Sequence, residues 1–320
     1  MHINTFWSID PDLQFYAVQL LARWGVPFFF VTSAFFLFLK GENGEITKSE
    51  LLNYVKRIAF LYLAWFIFNL PAVVYSNLLA NGITSYVTWL TFFKELLFSS
   101  TFMGSWYLTS SIFGACFVYL LCKKVSTKVA VLITSVLYLV CILTAAYGNI
   151  IPSGITAFID KFFVSPCISI ICSPFFFAIG KYIAENLHKA ESLRMSNCVM
   201  GAVVFGILYY VEITLARYFG LLNSTDASFF VVPWAIFMVL CCIRSRCEIK
   251  YARYMRKIST VVYCSQGLII LATNFVCSSI LGITFSLAKF VIAAVMISAC
   301  TVAVLLLQRY TKFKWTTYLT

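Results

Sequence analysis

Clusters of lysine and arginine follow every second long apolar run of this chain, and this alternation constrains the fold more than any other feature. Apolar runs of roughly 17–25 residues, the length of a membrane-spanning helix, recur about nine times between Tyr16 and Tyr310. Most of the 24 basic residues lie in clusters at 40–57, 123–128, 181–194, 244–257 and 309–314. Short loops rich in basic residues stay in the cytoplasm. The sequence therefore predicts a polytopic membrane protein with its first residues outside and its C-terminus inside.

The composition is typical of a protein surrounded by lipid. Hydrophobic residues make up 62% of the 320 residues and charged residues 11%, whereas a soluble domain is about half apolar and about a quarter charged. The net charge of +12 is divided among short loops, so we expect membrane lipid rather than nucleic acid as a partner. Most of the 12 cysteines lie inside apolar runs without a CxxC pair, which favours structural filler over a metal site.

The predicted fold class is all-α, a single transmembrane helix bundle over residues 1–320 with about nine spans. Continuous apolar runs favour helices over strands, whose apolar residues would alternate. Pro71, Pro174 and Pro233 are expected to kink their spans. Residues 80–103 form the longest outside connection, and an amphipathic interfacial helix is expected from Trp89 to Phe98. The expected spans are 17–39, 58–79, 104–122, 129–147, 167–184, 198–219, 228–243, 259–279 and 286–308.

Two ionisable residues inside the apolar runs are candidates for function. Arg23 begins the first span and Glu212 lies deep in the sixth. A charge inside a membrane is costly and faces a cavity or a partner. Glu212 and Arg217 are five positions apart and do not share a helix face, so Arg23 is the expected partner of Glu212. Two hypotheses stay open, namely a buried pair that fixes helix packing and a polar cavity that binds substrate.

Four segments, taken in order, resemble the acyltransferase 3 family of bacterial integral-membrane O-acyltransferases. Arg23–Leu37, RWGVPFFFVTSAFFL, is similar to the family's second-helix pattern RxxVPFFFxxSGFFL. The other segments are Tyr54–Trp65, Gly104–Leu108 and Arg256–Tyr263. The chain is also similar to the membrane half of vancomycin-resistance serine racemases. The resemblance implies ten helices, and Met1–Asn4 aligns with the end of the first, so the sequence is expected to begin inside that helix.

The resemblance also implies a set of site residues. His2 falls on the family's functional histidine and is the expected general base, and Arg23 is the expected positioning cation. Gln266 stands where many relatives carry a histidine; glutamine accepts and donates hydrogen bonds but does not shuttle a proton at neutral pH. The expected substrate-binding residues are Glu212, Trp106, Tyr107, Ser259, Tyr263 and Gln266.

The function implied by the resemblance is acyl transfer in the bacterial cell membrane. Acyl-CoA, in particular acetyl-CoA, is the expected cytoplasmic donor, and a hydroxyl of an exported glycan or lipid-linked sugar is the expected acceptor; no metal is expected. Residues 244–257 either receive the CoA phosphates or serve only as a topology signal. The alternative is a non-catalytic relative that transports a small, amino-acid-like molecule, which fits Gln266 and the missing first helix.

Overall fold

The computed structural model describes residues 5–79, 82–162, 165–245, 250–310 and 319, and this part of the chain contains helices and no strand. The predicted all-α class is confirmed. The α-helices are α1 Pro11–Leu13, α2 Gly25–Phe38, α3 Lys48–Val73, α4 Tyr86–Phe98, α5 Trp106–Cys122, α6 Thr127–Thr144, α7 Ser153–Phe162, α8 Ser173–Glu185, α9 Leu187–Ser192, α10 Met195–Tyr218, α11 Val231–Arg244, α12 Ala252–Phe275 and α13 Ser286–Tyr310. Three of them continue as short π-helical segments, namely α1 into Gln14–Leu20, α3 into Val74–Leu79 and α12 into Val276–Ile280.

Six helical segments of the described chain are long and apolar enough to cross a membrane. A helix coincides with each of the nine expected spans. The α5 helix has 17 residues, at the lower limit of a crossing, whereas α8 and α11 have only 13 and 14, fewer than the about 17 that a crossing requires at least. The chain is thus a multi-pass membrane protein, and its number of crossings and its orientation stay predictions. The six long segments are Pro11–Phe38, Lys48–Leu79, Thr127–Thr144, Met195–Tyr218, Tyr254–Ile280 and Ser286–Tyr310.

Prolines mark helix starts as well as interruptions. Pro174 and Pro233 lie in the first turns of α8 and α11, where the missing N–H costs nothing. The prediction that these two prolines kink spans is therefore wrong. Pro71 does lie inside α3, and the helix becomes π-helical from Val74, in agreement with local disruption of the backbone hydrogen bonds.

The described chain forms two compact units. The terminal unit contains Met1–Gln19, Arg57–Leu108 and Glu248–Thr320, and the central unit contains Leu20–Lys56 and Thr109–Cys247. In the central unit α2 and α6 pack against α8, and α11 packs against both α2 and α10. In the terminal unit α12 packs against α13, and α4 packs against the π-helical end of α3.

Small residues and aromatic rings explain the close packing of α2 on α8 in the central unit. A side-chain carbon at Gly180 would lie 2.5 Å from the Val31 carbonyl oxygen and 2.6 Å from Cβ of Ala34, so only glycine permits this approach. Phe30 stacks on Phe176 with ring centroids 6.2 Å apart. The family motif around Ala34 therefore serves helix packing in this chain.

Membrane-impermeant labelling should test the predicted orientation. The Tyr86 side chain on α4 is 78% exposed and that of Tyr251 before α12 is 59% exposed. On intact cells a charged maleimide should label Tyr86→Cys, whereas Tyr251→Cys should react only after permeabilisation, because the positive-inside rule puts residues 244–257 in the cytoplasm. The native protein, with its own cysteines, gives the background. Labelling of Tyr251→Cys on intact cells would reverse the orientation.

Candidate functional site

Arg23, between α1 and α2, forms an ion pair within the central unit with a residue that sequence reasoning missed. Its Nη1 donates to Oδ1 of Asp226, in the link between α10 and α11, and the other carboxylate oxygen of Asp226 accepts from Ser224 Oγ. The two side chains are 18% and 31% exposed. The predicted ion pair between Arg23 and Glu212 is wrong. Asp226 carried no sequence signal because it lies in a short polar link outside the apolar runs.

Glu212 instead caps the N-terminus of α11. Its carboxylate accepts hydrogen bonds from the backbone N–H groups of Phe229 and Phe230, both at 2.9 Å, and from the Tyr147 hydroxyl at 3.1 Å. The helix has no capping side chain of its own at Phe230. The exposed N–H groups of a helix start attract a carboxylate. This geometry favours the packing hypothesis for Glu212 over substrate binding.

Arg23 and Glu212 nevertheless lie in one polar region of the central unit, organised around Tyr209. The centroids of the Tyr209 and Trp234 rings are 5.3 Å apart, and the charged groups of Arg23, Glu212 and Asp226 lie near the Tyr209 hydroxyl. We call Arg23, Tyr209, Glu212, Asp226 and Ser228 the arginine cluster. Within the described residues the Tyr209 hydroxyl, Arg23 Nε and Ser228 Oγ are buried without a hydrogen-bond partner. Buried polar atoms are rarely left unpaired, so the arginine cluster has polar atoms available for a ligand or water.

The terminal unit brings together two of the motif segments. The Tyr263 hydroxyl on α12 donates to the Gly104 carbonyl oxygen at 2.7 Å, and the Tyr107 ring meets the Tyr263 ring edge-on with centroids 5.9 Å apart. Gly104 has φ +85°, and a side-chain carbon there would lie 3.1 Å from Tyr263 Cζ. Glycine is therefore required at this position both for its left-handed backbone and for its lack of a side chain.

Asn69 is a second residue that sequence reasoning missed. It is fully buried on α3, its Nδ2 donates to the Cys264 carbonyl oxygen at 3.1 Å, and its Oδ1 accepts from the Leu268 N–H at 3.0 Å. Those two backbone groups are four residues apart on α12 and flank Gln266. Asn69 thereby holds the segment of α12 that carries Gln266. Its sequence signal was weak, an uncharged amide within the apolar run 58–79 that also contains Asn77.

The other predicted site residues divide as follows. Ser259 is exposed, and its Oγ donates to the Arg256 carbonyl oxygen of its own helix at 2.9 Å, which does not suggest a binding role. Trp106 at the start of α5 and Gln266 on α12 are half-buried in the terminal unit. His2 lies outside the described residues.

A half-buried carboxyl group, that of Glu95, lies near the end of α4 in the terminal unit. Asn77 Nδ2 donates to Glu95 Oε2 at 3.1 Å and to the Thr101 carbonyl oxygen at 3.2 Å. Burial raises the pKa of Glu95, and nearby Lys94 opposes that effect. Ionised Glu95 therefore opposes folding.

Glu95→Gln should raise the melting temperature at neutral pH, because glutamine keeps an acceptor for Asn77 and removes the half-buried charge. A raised pKa means that the folded state disfavours ionisation, so the penalty grows as the pH rises above the ordinary glutamate pKa and vanishes below it. The difference between variant and native protein should therefore disappear at about pH 4. Thermal unfolding in detergent, at neutral pH and at about pH 4, measures this difference in melting temperature. Exposed Glu45→Gln is the matched control, and a lower melting temperature for Glu95→Gln at neutral pH would contradict the prediction.

Comparisons with known proteins agree with the family resemblance of the four motif segments. A family model described as an acyltransferase domain, Acyl_transf_3, matches residues 1–308. Two curated relatives from Enterococcus faecalis, each named amino-acid racemase, are 26% identical over 259 residues and 24% identical over 308 residues. The alignments cover 77% and 92% of this chain but 34% and 42% of the relatives, so the chain spans well under half of their length. No solved structure gives a significant match.

Proposed function

Because the chain belongs to the acyltransferase 3 family, we propose that it is an integral-membrane O-acyltransferase. The acyl group, acetyl in the simplest case, comes from cytoplasmic acyl-CoA and goes to a hydroxyl of an exported or cell-surface glycan, or of a lipid-linked sugar. The protein acts in the bacterial cell membrane. The fold supports the membrane setting, and the family supports the reaction class.

Arg23 carries the proposal. The family motif begins at this arginine, and its side chain is mostly buried in the arginine cluster, with Nε lacking an acceptor among the described residues. A guanidinium group that is largely shielded from water stabilises a developing oxyanion better than one in water. Such a group matches what acyl transfer from a thioester requires.

The reaction needs a proton acceptor as well as a cation. His2, assigned through the family resemblance, removes the proton of the acceptor hydroxyl while the hydroxyl oxygen attacks the thioester carbonyl. The new ester bond forms, the carbon–sulfur bond breaks, and CoA leaves as a thiol after taking up a proton. Tyr107 and Tyr263, which contact each other beside Gly104, and Trp106 and Gln266 are proposed to line the acceptor site.

A transport function is the second candidate, and the pair of Arg23 with Asp226 favours it. Adjacent opposite charges match the carboxylate and ammonium groups of an amino acid. The relatives from E. faecalis are named amino-acid racemases, which concerns amino acids rather than glycans. Gln266, where many family members carry a histidine, fits a relative that has lost proton transfer.

Reconstituted protein separates the two candidates. Liposomes with labelled acetyl-CoA on the cytoplasmic side and cell-wall glycan on the other should release CoA and yield labelled glycan ester. His2→Ala should lose this transfer. His188→Ala changes the other histidine of the chain, which lies on α9, and should keep it. Uptake of labelled serine or alanine without any CoA release would replace the acyltransferase proposal with the transport function.

A further inference from the structure

An apolar groove runs between α10 and α11 of the central unit, apart from the arginine cluster. Its volume is about 630 Å³, and no charged residue lines it. Gly206 leaves room beneath the Trp234 ring, since a side-chain carbon there would lie 3.2 Å from the indole. Val203 and Ile207 on its rim are 56% and 59% exposed. Because α10 is a candidate membrane span, the medium that this groove meets is lipid.

The groove has the length of one bilayer leaflet. On α10 its lining extends from Val199 to Val211, which is about 18 Å at a rise of 1.5 Å per residue. Half of a bilayer's hydrocarbon core is about 15 Å thick. A lipid acyl chain that stands along the membrane normal therefore fits the groove over most of its length.

Basic residues surround the end of the groove at which α10 begins and α11 ends. Arg244 lies one turn beyond Cys241 of the groove wall, its Nη1 donates to the Glu191 carbonyl oxygen, and its Nε has no acceptor. Within the described part of the chain Arg244 forms no ion pair. Lys189 and Arg194 are exposed on the segment that Arg244 contacts, and Glu191 is the carboxylate between them. The balance at this end is positive.

We propose that this groove is a binding site for an anionic glycerophospholipid of the cytoplasmic leaflet. One acyl chain occupies the groove between α10 and α11, and the lipid phosphate meets Arg244 and the neighbouring basic residues. A basic site between membrane helices at the cytoplasmic side is suited to anionic headgroups, and guanidinium groups pair closely with phosphate. Apolar walls at membrane depth and a basic rim match the two halves of such a lipid.

Native mass spectrometry tests the acyl-chain half of the proposal. Delipidated protein in detergent is mixed with phosphatidylglycerol, and bound lipid is counted. Val203→Trp places an indole in the groove at an exposed position and should abolish the bound lipid. Val204→Trp changes the next residue, which is 45% exposed and outside the groove, and should leave lipid binding unchanged. Lipid retained by Val203→Trp would overturn the proposal. A native protein that is a dimer without bound lipid, and that Val203→Trp converts to a monomer, would overturn it as well.

A headgroup comparison tests the basic half. With matched acyl chains, phosphatidylglycerol should bind more tightly than phosphatidylcholine by about fivefold for each basic residue in contact. Arg244→Gln should reduce that preference about fivefold without eliminating lipid binding, whereas Lys128→Gln, a change of an exposed residue on α6, should not change it. Equal binding of the two lipids by the native protein would overturn the proposal. Binding of acyl-CoA without binding of phosphatidylglycerol would also overturn the proposal, and would identify the groove as the site of the acyl-CoA donor.

Discussion

Arg23→Gln should lower acyl transfer by roughly 10²–10³-fold, the usual effect of removing one donor that stabilises an oxyanion. Glutamine can still hydrogen-bond to Asp226, the ion-pair partner of Arg23, but carries no positive charge. The measurement is the rate of CoA release by reconstituted protein, with the amount of folded protein determined by size-exclusion chromatography. Arg23→Lys keeps a charge without the planar guanidinium and should recover only part of the rate.

A double variant separates chemistry from packing. Arg23→Gln leaves the Asp226 carboxylate without its cation, and an uncompensated charge in a buried setting lowers stability whatever the function. Arg23→Gln combined with Asp226→Asn removes both charges and should restore the amount of folded protein without restoring transfer. If the double variant regains transfer, Arg23 only stabilises the link between α10 and α11.

Glu212→Leu should lower the free energy of unfolding by about 2–4 kcal/mol, because it strands the backbone N–H groups of Phe229 and Phe230 at the start of α11. The Tyr147 hydroxyl loses its acceptor as well. The effect should appear as reduced expression and a lower melting temperature in detergent. It should exceed the effect of removing the Tyr147 hydroxyl alone, which leaves the carboxylate and its two backbone donors in place.

Two variants calibrate the Glu212 prediction. Tyr147→Phe removes one of the three donors and should cost about 1 kcal/mol, while Glu212→Gln keeps a single acceptor oxygen and should fall between Tyr147→Phe and Glu212→Leu. Leu215→Ala changes a half-exposed residue of the same helix and controls for loss of side-chain volume. Native stability in Glu212→Leu together with loss of transfer would instead assign Glu212 to substrate binding.

Helix positions could be predicted from the sequence to different extents. Long spans such as α10 and α13 follow from uninterrupted apolar runs, because the thickness of the bilayer sets a minimum length for a spanning helix. The fifth expected span, 167–184, begins as an α-helix only at Ser173, because a short 3-10 helix, Pro166–Ile168, and the turn after it precede α8. Hydropathy does not distinguish an apolar turn from an apolar helix, so this boundary could not be predicted.

The candidate site shows the same division. Sequence patterns identified Arg23, Tyr107 and Tyr263 through the family resemblance, and the structure shows that Tyr107 contacts Tyr263. The patterns did not identify Asp226 or Asn69. Asp226 looks like any residue of a polar link, and Asn69 has no acidic or basic character that would mark it within its run.

The sequence by itself determined the class of this protein, its membrane setting and its family, because apolar run length, basic clusters and ordered motifs are local properties of the chain. Only the tertiary structure decided which groups meet. Asp226 is 203 residues from Arg23, and Asn69 is 195 residues from the carbonyl group of Cys264 that it holds. An ion pair or a buried hydrogen bond forms over a few ångströms, and such distances are set by helix packing.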